Sequence, residues 1–117
     1  MASKSQKPQF AAGQIWFLQE PRLGNSEHGH YALIASIQKS ASIATINFIA
    51  TEKSFHQDFR IESTAAGFGT TGLKHTCHLL RREIQNVELT ILQRGRYSGT
   101  LTGELKSDIE EWWGEPI

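Results

Sequence analysis

The chain has 117 residues and a mass of 13.1 kDa, enough for one domain with a core of its own and too little for two. It is 38% hydrophobic and 21% charged, with 10 Gly and 3 Pro, which excludes a disordered chain, a collagen-like repeat and a Pro-rich linker. Twelve bases balance twelve acids, but residues 100–117 hold only Lys106 against five acids, so a neutral total conceals a body of +4 and a closing segment of −4.

Residues 1–9 are polar and without periodicity, and read as a frayed arm preceding a single domain over 10–117. Gly13 leads into Gln14-Ile15-Trp16-Phe17-Leu18, an aromatic and β-branched run that predicts a strand. Residues 20–29 carry Pro21, Gly24, Asn25 and Ser26 and form a loop. The apolar run from Tyr31 to Ile37 is short enough for a buried strand. After a small turn at Lys39-Ser40-Ala41, Ile43 to Ile49 alternates with period two, a further strand. Phe59-Arg60-Ile61-Glu62 predicts another. Residues 65–72 hold three glycines and two threonines, and read as a flexible hairpin loop.

His78 to Val87 predicts a strand, a bulge or break at Arg81-Arg82-Glu83, and a second strand; Gly95 to Gly99 predicts a turn. From Leu101 the period changes. Leu101, Leu105, Ile109 and Trp112 form one stripe of a helix, with Thr100 or Thr102 as N-cap and Gly114 and Pro116 as its stop. Five or six short strands and one C-terminal helix make the expected fold mainly β, a small curved barrel with a helix packed on it. No apolar run approaches the roughly 18 residues of a membrane helix, so no membrane span is expected. Residues 1–10 lack the apolar segment of a signal peptide, and the single cysteine, Cys77, fits a reducing cytoplasm, the expected location.

Five histidines invite a metal reading, above all His28-x-His30 and His75-Thr-Cys77-His78. A closed zinc site needs four ligands at set spacings and there is no second cysteine, so neither metal nor another cofactor is expected. Gly67-Phe-Gly69-Thr-Thr-Gly72 lacks the Gly-Lys-Ser/Thr ending of a phosphate loop. Cys77 reads as a buried, inert thiol. Lys74 to Arg96 is the densest basic region, with Lys74, Arg81, Arg82, Arg94 and Arg96 against Glu83 and Glu88. Two readings of it stay open: a phosphodiester-binding surface, or a strand edge defended by charge. Trp112 and Trp113 point about 100° apart on the helix. One can join the core while the other meets a dimer or other partner.

The order of these motifs resembles the PemK/MazF toxin family, also called Kid-like or CcdB-like small barrels. Gly13-Gln-Ile-Trp-Phe-Leu resembles the family's opening strand, and Gly29-His30-Tyr31-Ala32-Leu33-Ile34-Ala35-Ser36 its strand after Arg-Pro. Ile46-Asn-Phe-Ile-Ala50-Thr51 resembles the strand ending in Pro-x-Thr-Ser, and Gly95-Arg96-Tyr97-Ser98 the approach to the closing helix. The likeness spans about residues 10–113 as a series of small motifs. It implies an SH3-like barrel, a homodimer, acting in the cytoplasm as a metal-independent endoribonuclease on single-stranded RNA and neutralised by an antitoxin protein.

Carried over by position, Thr51 stands for the family threonine, His30 for the arginine before proline and Tyr31 for that proline. Histidine can do acid and base work near neutral pH. Where some members keep an arginine and an aspartate one residue apart, the chain reads Leu80-Arg81-Arg82-Glu83; a gapless reading selects Leu80 and Arg82, and a slip of one brings an arginine together with Glu83. Gln85-Asn86-Val87-Glu88 replaces the later Arg-Thr-Ile-Asp. The resemblance thus implies His30, Thr51, Arg81, Arg82 and Glu83 as the catalytic set. His28, Lys74, Arg94 and Arg96 are the candidate RNA contacts. The alternative is a non-catalytic barrel of the same build that binds RNA or a protein; a plain interaction domain dimerising through Trp112 and Trp113 is a third.

Overall fold

The computed structural model describes residues 9–19, 29–52 and 56–117. All but the last residue of the expected arm lies outside them. Six antiparallel strands form one curled sheet: β1 (Gln14–Leu18), β2 (His30–Gln38), β3 (Ile43–Ala50), β4 (Phe59–Ile61), β5 (Cys77–Glu88) and β6 (Arg96–Thr100), in the spatial order β4-β5-β3-β2-β1-β6. A short helix α1 (Leu89–Gln93) separates β5 from β6, and α2 (Gly103–Trp113) closes the described chain. The protein is mainly β, a six-stranded half-barrel with a C-terminal helix.

The continuous apolar runs of β1 to β3 arise because both faces of the sheet are covered. Ile15, Leu33 and Ile49 face one cluster, which α2 completes with Leu105 and Ile109 and the loop before β5 with Phe68 and Leu73. Trp16, Ala32, Ile34, Ile46 and Phe48 face the other, closed by Val87 and by Ile91 and Leu92 of α1. Strand register carries this alternation across the sheet, pairing Trp16 with Ala32 and Ala32 with Phe48. Trp16 is wholly buried, and its indole N–H donates to Gln14 Oε1 at 3.0 Å.

Three expectations need correction. Residues 95–99 are not a turn: Arg96–Thr100 is an edge strand paired with β1. Its alternation is masked because Gly99 lies beneath the backbone of Thr70 and Thr71, where a side chain has no room. Gly99→Ala is therefore expected to lower stability by about 2 kcal/mol or more, read as a fall in thermal midpoint, since backbone cannot yield as a side-chain tip does.

The glycine loop is likewise a packed element. Phe68–Thr71 forms a 3-10 turn with Gly67 and Gly72 at positive φ on either side. Thr71 is buried, its hydroxyl donating to the Phe68 carbonyl at 2.6 Å and accepting from the Leu73 N–H at 3.0 Å. Thr70 Oγ1 donates to the Thr100 carbonyl at 2.7 Å, tying the turn to β6. Finally, α2 begins at Gly103 and not at Leu101; Thr102 is its N-cap residue, as expected, but makes no side-chain cap, its hydroxyl instead meeting Thr70 Oγ1 at 2.8 Å. Gly114 ends the helix at φ 89°, as the sequence indicates.

The bulge expected at Arg81-Arg82-Glu83 is present inside one continuous strand. Asn47 of β3 pairs with Ile84 and Ile49 with Leu79, so β5 accommodates extra residues between them. Asn47, wholly buried, fills the gap: its amide donates to the carbonyls of Leu80 at 2.8 Å and Glu83 at 3.1 Å. Both neighbours are acceptors, so the nitrogen must face them.

Candidate functional site

In this antiparallel sheet the end of β1, the start of β2, the end of β3 and the start of β5 meet at one rim. That rim opens into a cavity of about 410 Å³ lined by Phe17, His30, Tyr31, Thr51, Lys74 and His75, among others. Gly29 enters β2 at φ 69°, pressed against the Phe17 ring and the Leu18 carbonyl, so only glycine fits there and His30 is delivered to the mouth. Phe17 and Tyr31 meet edge to face, ring centroids 5.0 Å apart, and form an aromatic wall. The Arg96 guanidinium lies 5.0 Å from the centre of the Phe17 ring, which brings a cation of β6 to that wall.

His30 also lines a second compartment of about 200 Å³, shared with Phe48, Leu80, Glu83 and Gln85. Its ring meets that of Phe48 edge to face at 5.9 Å. Thr51 borders a third, open recess with Asp58 and Arg60, and its carbonyl accepts a hydrogen bond from His78 Nδ1 at 3.1 Å. His78 lines that recess and not the cavity at His30.

Of the expected catalytic residues, the fold thus brings His30 and Thr51 to one cavity and places Glu83 next to His30 in the adjoining one. Lys74 lines the first cavity, and Arg96 flanks it through Phe17. Arg81 is engaged elsewhere. Its guanidinium donates to the Trp112 carbonyl at 2.9 Å and stacks over the Trp112 ring at 4.7 Å, while its backbone N–H bonds Asp58 at 2.8 Å. Arg82 is exposed on β5, and Arg94 is the C-cap of α1; neither lines these compartments. His28 lies outside the described residues.

Trp112 and Trp113, expected at a dimer or partner contact, are both half-buried against the protein's own core. The Trp112 indole donates to the Gln57 carbonyl at 2.7 Å, so with Arg81 it straps α2 to β4 and β5. Among the described residues, no three of His, Cys, Asp and Glu converge as metal ligands.

Sequence reasoning missed His75, Phe17, Tyr31, Gln85 and Asn47 as members of this region. One of them left a signal: Asn47 is an amide inside the apolar run Ile46–Ala50, at a register where its neighbours are core. His75 stands out in the sequence only through the metal reading with Cys77 and His78, and Tyr31 only as the counterpart of the family proline; Phe17 and Gln85 look like ordinary strand residues until the rim assembles them.

Cys77 opens β5 at the floor of the first cavity, and burial pushes its thiol up to about 11. At pH 8 the thiolate fraction is then on the order of one in a thousand, so the folded protein is expected to resist iodoacetamide and react readily in denaturant. Because the folded value lies above the unfolded one of 9.0, stability is unaffected below about pH 9 and declines as pH rises from 9 towards 11. Rapid labelling of the folded chain at pH 8 would contradict this environment.

No protein-family model matches this chain, and no curated protein matches it in sequence. Among the described residues no helix is long and apolar enough to cross a membrane.

Proposed function

We propose that this protein is an endoribonuclease of the PemK/MazF type, cutting single-stranded RNA without a metal ion. The observation that carries the proposal is the cavity at the sheet rim, where His30, His75, Lys74 and Thr51 share one space beside an aromatic wall. Metal-independent RNA cleavage needs a base for the ribose 2′-OH, an acid for the departing 5′-oxygen and a cation for the charge that builds on phosphorus. Two imidazoles and an ammonium supply those parts.

In the reaction, His30 accepts the 2′-OH proton and the 2′-oxygen bonds to phosphorus. The bond from phosphorus to the 5′-oxygen breaks as His75 returns a proton to that oxygen. Products are a 2′,3′-cyclic phosphate and a 5′-OH end. Lys74 and the Thr51 hydroxyl hold the phosphate oxygens, and the Phe17–Tyr31 wall takes a base by stacking, a sequence-tolerant interaction. A cytoplasmic homodimer controlled by an antitoxin completes the proposal and rests on the motif order. Trp112 and Trp113 then serve chiefly to hold α2 in place.

The apolar share of the cavity wall, including Ile49 and Leu73, favours a second reading: a barrel of the same build that binds RNA or a protein without cutting. Incubation of purified protein with labelled single-stranded RNA in EDTA separates the two. Cleavage ending in cyclic phosphate supports the nuclease, salt-sensitive binding to intact RNA supports the second reading, and neither outcome at low salt sinks the RNA assignment.

A further inference from the structure

The second compartment is distinct in chemistry from the first, and the two meet at His30. By strand alternation His30 shares its face with Phe48, whereas Tyr31 and Ile49 point to the opposite face. Side chains of opposite faces thus line the two compartments, with His30 common to both. The first compartment has aromatic walls and cations. The second has apolar walls in Phe48 and Leu80, and at its edge a carboxylate, Glu83, and an amide, Gln85.

That pairing has a specific meaning for a nucleobase. A carboxylate only accepts hydrogen bonds, so it meets an exocyclic amino group and repels a keto oxygen; an amide can donate beside it to a ring nitrogen or carbonyl. The cytosine edge presents an amino group and an acceptor nitrogen side by side. The uracil edge presents a keto oxygen where the amino group would be. The position of Glu83 is set by the bulge: Asn47 occupies the carbonyls of Leu80 and Glu83 from inside the sheet, leaving the Glu83 side chain outside and exposed.

We infer that the compartment formed by Phe48, Leu80, Glu83 and Gln85 is a base-reading subsite that selects an amino-bearing nucleobase over uracil, next to the phosphate held at His30. Glu83 is then a specificity-determining residue and not the proton-transfer group that its place in the motif implies. The inference rests on the RNA reading above and deepens it.

The test is binding of fluorescent 2′-O-methyl 12-mers of cytidine and of uridine, which differ at the edge in question and are not cleaved, measured by anisotropy. The wild-type protein is expected to bind the cytidine oligomer about tenfold more tightly or better. Glu83→Ala is expected to bring the ratio to about threefold or less, with Gln85→Ala moving it the same way. Lys74→Ala, by removing a phosphate contact, is expected to weaken both oligomers while preserving the ratio. Equal binding of the two by wild type, or an unchanged ratio in Glu83→Ala, overturns the subsite and leaves the RNA reading standing. Binding of neither oligomer overturns both.

Discussion

Asn47→Ala is expected to destabilise the protein by about 2–4 kcal/mol, more than any exposed change in the same strand. Asn47 is wholly buried and its two amide hydrogens are both used, at 2.8 and 3.1 Å, on carbonyls that the bulge in β5 withdraws from the sheet ladder. Alanine leaves those two acceptors without a donor and opens a void between β3 and β5. One opposing effect is included in the range: Asn47 Oδ1 is itself buried without a hydrogen-bond partner among the described residues, and its removal recovers part of the loss. Two orphaned carbonyls outweigh one.

For a domain of this size the change corresponds to a fall in thermal midpoint of about 6–20 °C. Asn47→Asp is expected to be at least as damaging, because a carboxylate would face carbonyl oxygens. Thr45→Val is the comparison. Its hydroxyl bond to Asn86 Oδ1 at 2.7 Å is exposed, and its loss is expected to cost about 0.5 kcal/mol. Equal midpoints for Asn47→Ala and wild type would show that the bulge does not depend on this amide.

His30→Ala is expected to slow RNA cleavage by about 10²–10⁴-fold, the usual contribution of a positioned acid–base group. Its effect on folding is expected to be small. His30 is half-buried at the first position of β2, and its ring meets that of Phe48 edge to face. Rate and stability therefore separate: initial cleavage of labelled RNA in EDTA falls while the denaturant midpoint stays close to wild type. A variant that cuts at the wild-type rate would remove His30 from the chemistry. Arg81→Ala provides the contrast in the other direction. Its guanidinium is committed to the Trp112 carbonyl and ring, so its replacement loosens α2 and is expected to move stability rather than the chemical step.

The fold was legible where burial imposed a pattern. β1, the apolar run of β2 and the alternating β3 stand out because each residue faces one of two covered sheet faces, and the stripe Leu101–Leu105–Ile109 declares α2. β6 was hidden, because an edge strand with Gly99 under another backbone segment has no alternation to show. The packed turn Phe68–Thr71 was hidden for a related reason: glycines that signal freedom in a sequence here mark close backbone contact.

The candidate site divides in the same way. His30 and Thr51 were legible from motif position, and Lys74 and Arg96 from charge, but nothing in the chain order separates Arg81 from Glu83. Only two positions apart, they part because the bulge pinned by Asn47 sends one to Trp112 and the other to the compartment at His30.

By itself, the sequence determined the mainly β class, the closing helix, the buried character of Cys77 and the uneven distribution of charge. These depend on composition and on periods of two and 3.6 residues, which are local properties. Only the tertiary structure decided which side chains share a cavity. His30 and His75 are 45 positions apart in the chain and face one space because antiparallel pairing returns the start of β2 and the approach to β5 to the same rim. Long-range register is a property of the assembled sheet, and no local pattern encodes it.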